Sequence, residues 1–116
     1  MDQFVPEVGP DDVERVLRRD FPAEAQDELR RMIEQVEVIE KNRVVLGCMK
    51  SAAGNVEQLK RNLGEASGYY REILGEAEYP NWIKKMFRIE RLSEAEKEKI
   101  IEKDKAQYLD WFNRKA

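Results

Sequence analysis

No histidine occurs anywhere in the 116-residue chain, and that absence removes more chemistry than any residue present supplies. Without imidazole there is no ordinary general base for acyl transfer, no usual zinc or iron ligand, and no unshifted side chain that titrates near neutrality. The Glu-x-x-His pairs of di-iron helical bundles are excluded as well. Threonine is also missing, and Cys48 is the single cysteine. One cysteine forms neither an intramolecular disulfide nor a thiolate cluster, and it fits a reducing compartment. The opening stretch, Met-Asp-Gln-Phe-Val-Pro-Glu, is acidic where a secretory signal is basic. No apolar run approaches the ~20 residues that a membrane span needs. The expected location is the cytoplasm, with no membrane contact.

Glycine and proline are sparse, at six and four residues. Ala, Leu, Glu, Lys and Arg dominate instead, the residues that helices prefer. Apolar residues make up 41% and charged residues 39%. Both signs are mixed throughout, which suits heavily solvated helices rather than a disordered chain. A chain of this length forms one domain and buries roughly two-thirds of its unfolded surface, so it needs no metal or bridge to hold a core. The net charge of −3 conceals a split: residues 1–80 sum to −6 and residues 81–116 to +3. Neither pole by itself signals nucleic acid.

Along the chain, residues 1–9 read as a loose arm. Gly9-Pro10-Asp11-Asp12 opens a helix, with Pro at the first turn and carboxylates at the positive end of the dipole. Val13, Val16, Leu17 and Phe21 give it an apolar stripe, and Pro22 ends it. A second helix is expected over about 23–53, because Ala25, Leu29, Met32, Val36, Ile39 and Leu46 recur at helical steps. Gly54-Asn55 breaks it, and Asn55 with Gln58 has capping-box spacing. A third helix follows over about 55–77. Folding about Gly54-Asn55 would pair Leu46 with Leu63, Ile39 with Tyr70, and Val36 with Ile73. Tyr79-Pro80-Asn81 interrupts again. A short fourth helix spans 82–91, and Ser93 with Glu96 caps a fifth that runs to about residue 113. The expected fold is all-α: a long antiparallel hairpin, 23–53 and 55–77, packed by a short N-terminal helix and two C-terminal helices in a single domain, 1–116.

Several stretches of the hairpin also carry a resemblance. They are Arg43-Val44-Val45-Leu46, Met49-Lys50, Gly54-Asn55, Leu59, Tyr70-Arg71-Glu72-Ile73-Leu74 and Ala77-Glu78-Tyr79-Pro80. Together they resemble a group of small bacterial all-helical proteins of unknown function. The segment 13–22 is similar to that group's beginning, so the likeness covers about residues 11–82. Its most specific element is the Ala-Glu-Tyr-Pro ending. Gly47-Cys48 and Gly68-Tyr69 depart from the pattern. The resemblance implies a helical fold and a bacterial source, and no active site.

Candidate sites are few. Glu72 with Glu76, and Glu34 with Glu37, are carboxylate pairs of the kind that bind a hard cation or share a proton. Glutamate is so common on helix surfaces, however, that no metal, catalytic or cofactor-binding residue is assigned. Cys48 lies among Val44, Val45, Leu46 and Met49 and is read as a buried, inert thiol. Gly64, Gly68 and Gly75 share one face of the third helix. That face is expected to lie under an aromatic such as Trp82 or Trp111, with a dimer contact as the alternative. In 82–91, the residues Trp82, Ile83, Met86 and Phe87 are read as core, and Lys84, Lys85, Arg88 and Arg91 as solvated cations. Those four cations, with Trp111 and Phe112, are the candidate partner-binding residues. Tyr108, Leu109, Trp111 and Phe112 are too apolar to stay in water. They are expected to dock on the chain's own first helix or glycine face, with dimerisation as the alternative.

The functional expectation is a non-enzymatic helical protein that engages a protein partner or a second copy of itself. A nucleic-acid-associated regulator using the basic 82–91 segment is the alternative. A small antitoxin or immunity-type protein is a third reading that no residue selects. With no histidine and one isolated cysteine, the purified protein should carry no stoichiometric zinc or iron. Elemental analysis checks this, and a stoichiometric metal would point first to the glutamate pairs.

Overall fold

Residues 44–49 form a run with no charged or amide side chain, and every one of them is buried. A helix that is apolar on all sides cannot lie on a surface. The helix holding this run, α3 (Lys41–Ala52), is accordingly covered by its neighbours. The computed structural model describes residues 5–115. It places α1 (Pro10–Asp20) and α2 (Ala23–Gln35) before α3. After it come α4 (Val56–Glu78), α5 (Pro80–Lys84), a 3-10 helix (Met86–Arg91) and α6 (Glu94–Phe112). No strand occurs among the described residues, and the fold is all-α.

α3 and α4 form the antiparallel hairpin. The chain reverses through Ala53 and Gly54, both in the left-handed region. The Asn55 side chain then accepts the Gln58 N–H at 2.8 Å, capping α4. Only this half of the expected capping box forms, because the Gln58 amide donates to Asn62 at 2.9 Å instead. Asn62 in turn donates to the Cys48 carbonyl at 3.1 Å, a buried tie between the two helices. Gly47 lets them approach closely: a Cβ there would stand 3.3 Å from an Ile73 methyl and 3.5 Å from Ala77.

The single helix expected over 23–53 is in fact two, α2 and α3, separated by residues 36–40. Val36, Val38 and Ile39 put three β-branched side chains into four positions, which lowers helix propensity where packing does not restore it. Val36 is extended, and Glu40 takes a left-handed conformation with φ 51°. Once the helix is broken, the expected seam changes. Leu46 and Leu63 are buried, but Ile39 is 67% exposed and is no seam residue. Val36 lines a small cleft with Met32, Leu63, Gly64 and Ser67, while Ile73 lies against Gly47.

The expected loose arm is also corrected. Residues 1–4 lie outside the described residues, but Val5 is buried and Val8 packs on the core. A lone valine beside Pro6 has no periodicity by which to announce its burial.

α6 buries Ile100, Asp104, Tyr108, Trp111 and Phe112, one stripe of a helix whose other faces are polar. Its C-terminal end docks on α1, as the apolar load requires. The buried Arg19 guanidinium donates to the carbonyls of Trp111 at 2.8 Å, Phe112 at 3.2 Å and Arg114 at 2.8 Å. It is held from behind by both oxygens of Asp20. A cation on the last carbonyls of a helix satisfies orphan acceptors and opposes the negative end of the dipole. Arg15 lies 4.8 Å from the Phe112 ring centre and Arg19 5.4 Å from that of Trp111, so cation–π contact joins the capping.

Leu63 is 4% exposed, whereas Glu65 faces solvent two residues later. Leu63→Ala should lower stability by about 2–5 kcal/mol through the cavity it leaves. Glu65→Ala should stay within about 0.5 kcal/mol. Urea titration of the two variants checks the assignment.

Candidate interaction surface

The surface begins with a buried acid. Asp104, fully buried on α6, accepts from the Asn81 N–H at 2.9 Å, the Asn81 side chain at 2.8 Å and the Trp82 N–H at 3.1 Å. Its carboxylate thus sits on the free N–H groups that open α5, where negative charge is favoured. Pro80 occupies the first turn of that helix. On the other side of α5, Ile83 rests on Gly75 of α4. A Cβ at Gly75 would come within 2.7 Å of the Ile83 Cδ1, so a larger residue there would push the end of the Ile83 side chain aside. The start of α5 is therefore pinned to both α6 and α4.

Beyond Lys84 the helix changes pitch. Lys85 ends α5, and residues 86–91 continue as a 3-10 helix. A 3-10 helix has three residues per turn rather than 3.6, so the apolar stripe read at α-helical spacing no longer falls on one side. Met86 is 58% exposed, Phe87 102% and Ile83 37%. The expectation that these residues join the core is overturned. Of the four residues expected in the core, Trp82 alone stays partly covered. Lys84, Lys85, Arg88 and Arg91 are exposed as expected. Among the described residues none of the four has an ion-pair partner. The result is a protruding segment with bare apolar side chains and four free cations.

The other candidates resolve differently. Trp111 and Phe112 are buried against α1 and form a ring cluster with Tyr108, so they are not available on the surface. Neither tryptophan fills the space at Gly75, which Ile83 takes; positions Gly64 and Gly68 face open space. A glycine inside a helix costs about 1 kcal/mol against alanine, and among the described residues nothing lies within 4 Å of where a Cβ would stand at these two positions. Glu72 and Glu76 are exposed on α4, whereas Glu34 and Glu37 no longer share a helix, since α2 ends at Gln35. Among the described residues no three His, Cys, Asp or Glu side chains gather where they could hold a metal ion. Cys48 is buried as expected, and burial pushes its thiol from 9.0 up to about 12. A thiol so far from its thiolate is a poor nucleophile at neutral pH.

Two buried pairings escaped the sequence reading. Arg43 grips both oxygens of the fully buried Glu78, at 2.8 and 2.6 Å, and this hydrogen bonding raises the arginine pKa. Asp104 was the other. The signal available was its place four residues from Ile100 and four from Tyr108, a carboxylate on an apolar stripe. A cleft of about 940 Å³ between α1 and the end of α6 mixes Asp11, Asp12 and Glu14 with Arg15, Arg18 and Lys115. Glu14 there is already engaged by Arg18 and Arg30, and the mixed charge selects no ligand.

Fold and surface together define an all-α bundle around a buried helix, with one apolar and basic protrusion. No helix among the described residues is long and apolar enough to cross a membrane. The chain matches no protein-family model, no curated protein and no solved structure.

Cys48 and Tyr108 give the core a defined response to alkali. Tyr108 is 1% exposed, its hydroxyl has no hydrogen-bond partner among the described residues, and burial raises its pKa above 10.0. Both groups stay protonated in the fold and ionise more readily once unfolded. The folded state therefore holds more protons, and stability falls as pH rises from about 9 toward 12. Tyr108→Phe removes one of these groups together with an unsatisfied hydroxyl. It should match or exceed wild-type stability at neutral pH and lose less in alkali. Denaturant melts across that pH range provide the check.

Proposed function

We propose that this chain is a non-enzymatic interaction module of the bacterial cytoplasm, and that it binds a protein partner through residues 83–91. The observation that carries this reading is the complete exposure of Phe87 beside Met86 and Ile83, ringed by Lys84, Lys85, Arg88 and Arg91. A phenylalanine held fully in water on a pinned segment is costly unless something covers it. Aromatic anchors and arginines are the residues that dominate protein interfaces. The surrounding cations favour a partner with carboxylates around an apolar pocket and steer its approach. The buried thiol, the exposed glutamates and the missing histidine support the non-enzymatic part of the reading. The setting follows from the bacterial resemblance and the single cysteine.

A nucleic-acid-associated role is the second reading, favoured by the four cations that lack ion-pair partners among the described residues. It differs in what it requires: phosphate contacts make binding fall steeply with salt, whereas an apolar anchor does not.

Phe87→Ser should leave the helical fold intact by circular dichroism, because the side chain is exposed on the single chain. In affinity capture from the source organism's extract, it should lose a stoichiometric protein that the wild-type chain retains. Equal recovery with Phe87→Ser and with Lys84→Glu/Arg88→Glu would end the reading. A salt-sensitive mobility shift with RNA or DNA, abolished by Lys84→Glu/Arg88→Glu, would favour the second one.

A further inference from the structure

The chemical complement of the protrusion lies on the same chain. Along the outer side of α4, Glu65, Glu72 and Glu76 are exposed and outnumber the exposed Arg61 and Arg71 of the same helix. Among the described residues none of them has an ion-pair partner. Tyr69, where α4 is kinked, stands between them at 58% exposure. The relief here is low, because Gly64 and Gly68 carry no side chain and meet nothing within 4 Å. The protrusion has the opposite character in both respects: it is basic and it stands proud.

Ile83 sits on Gly75, so the protrusion rises at the C-terminal end of the α4 face. The open acidic stretch runs from there toward Gly64. Within one chain the two lie side by side, and Phe87 stays uncovered. Two chains related by a two-fold axis can each bring a protrusion onto the other's acidic stretch, making the same contact twice.

We propose that the partner is a second copy of this chain, with Ile83, Met86 and Phe87 of each protomer covered by the outer face of α4 of the other. The proposal rests on the interaction-module reading and names its partner. Burial of Phe87 and Met86 supplies the association. Pairing of Lys84, Lys85, Arg88 and Arg91 with Glu65, Glu72 and Glu76 sets the orientation. The small net charge of −3 leaves little general repulsion between copies.

The test is the molar mass in solution, by light scattering over a wide concentration range, of the full chain and two charge-reversed variants. One reverses the protrusion (Lys84→Glu/Lys85→Glu/Arg88→Glu); the other reverses the face (Glu65→Lys/Glu72→Lys/Glu76→Lys). All six positions are exposed, and thermal melts confirm that each variant folds. The wild type should be a dimer. Each variant alone sets like charges against each other, and its dimer dissociation constant should rise about a hundredfold or more. An equimolar mixture of the two should dimerise again, because both contacts of the mixed pair regain opposite charges. A wild type that stays monomeric overturns the proposal. So does a dimer indifferent to both reversals, or a mixture that remains monomeric. A monomeric wild type whose captured partner is lost on Phe87→Ser would overturn only the second copy, leaving the interaction module standing. If neither dimer nor partner depends on Phe87, both fail.

Discussion

The constraint on which the rest of the fold depends is the need to cover α3 on every side. Its central residues offer no polar face, so neighbouring helices must close around it, and α4 and α1 do so most directly. Arg43, near its entrance, is not left to solvent but meets Glu78 of α4. Removing Arg43 would leave the fully buried Glu78 carboxylate without its cation, at about 3–5 kcal/mol. The pair therefore specifies where α4 must lie along α3 as much as it stabilises the contact. Gly47 works toward the same end by subtraction, since its missing side chain is what lets Ile73 and Ala77 come close.

Helix ends are handled as carefully as the core. The last carbonyls of α6 go to Arg19 and the first N–H groups of α5 go to Asp104. Both capping residues are charged, buried and distant in sequence from the ends they satisfy. They explain how a 19-residue helix with a mostly polar surface is fastened at one end to α1 and in its middle to α5. They also explain why α5, only five residues long, has a defined place. The proposed contact surface inherits its position from this arrangement: Asp104 and Gly75 hold the root of the protrusion, and the change to 3-10 pitch turns its apolar side chains outward.

Much of the fold was legible in the chain because it depends on local rules. α1 begins at Gly9-Pro10 and ends before Pro22, and α4 begins after Asn55. α6 begins after Ser93 and closes on an apolar cluster that had to dock. The break at 36–40 was less legible, since its apolar spacing continues the helical pattern while its β-branched residues argue against it. The site was legible only in part. Lys84, Lys85, Arg88 and Arg91 could be named as solvated, but Met86 and Phe87 were indistinguishable from core residues by spacing. Trp111 and Phe112 looked equally suited to core or interface.

What the sequence by itself determined was therefore composition-level and local: an all-α chain, no imidazole chemistry, one isolated thiol, and helix starts marked by capping residues. These follow from residue identity and from neighbours within about one turn. The tertiary structure alone decided which apolar residues are covered, which charges are buried, and which faces of α4 and the 3-10 segment stay open. Burial is a property of what packs from elsewhere in the chain. Arg43 finds Glu78 across 35 positions and Arg19 finds Trp111 across 92. No periodicity within a single helix carries that information, because the partner that satisfies a side chain is chosen by how the helices cross.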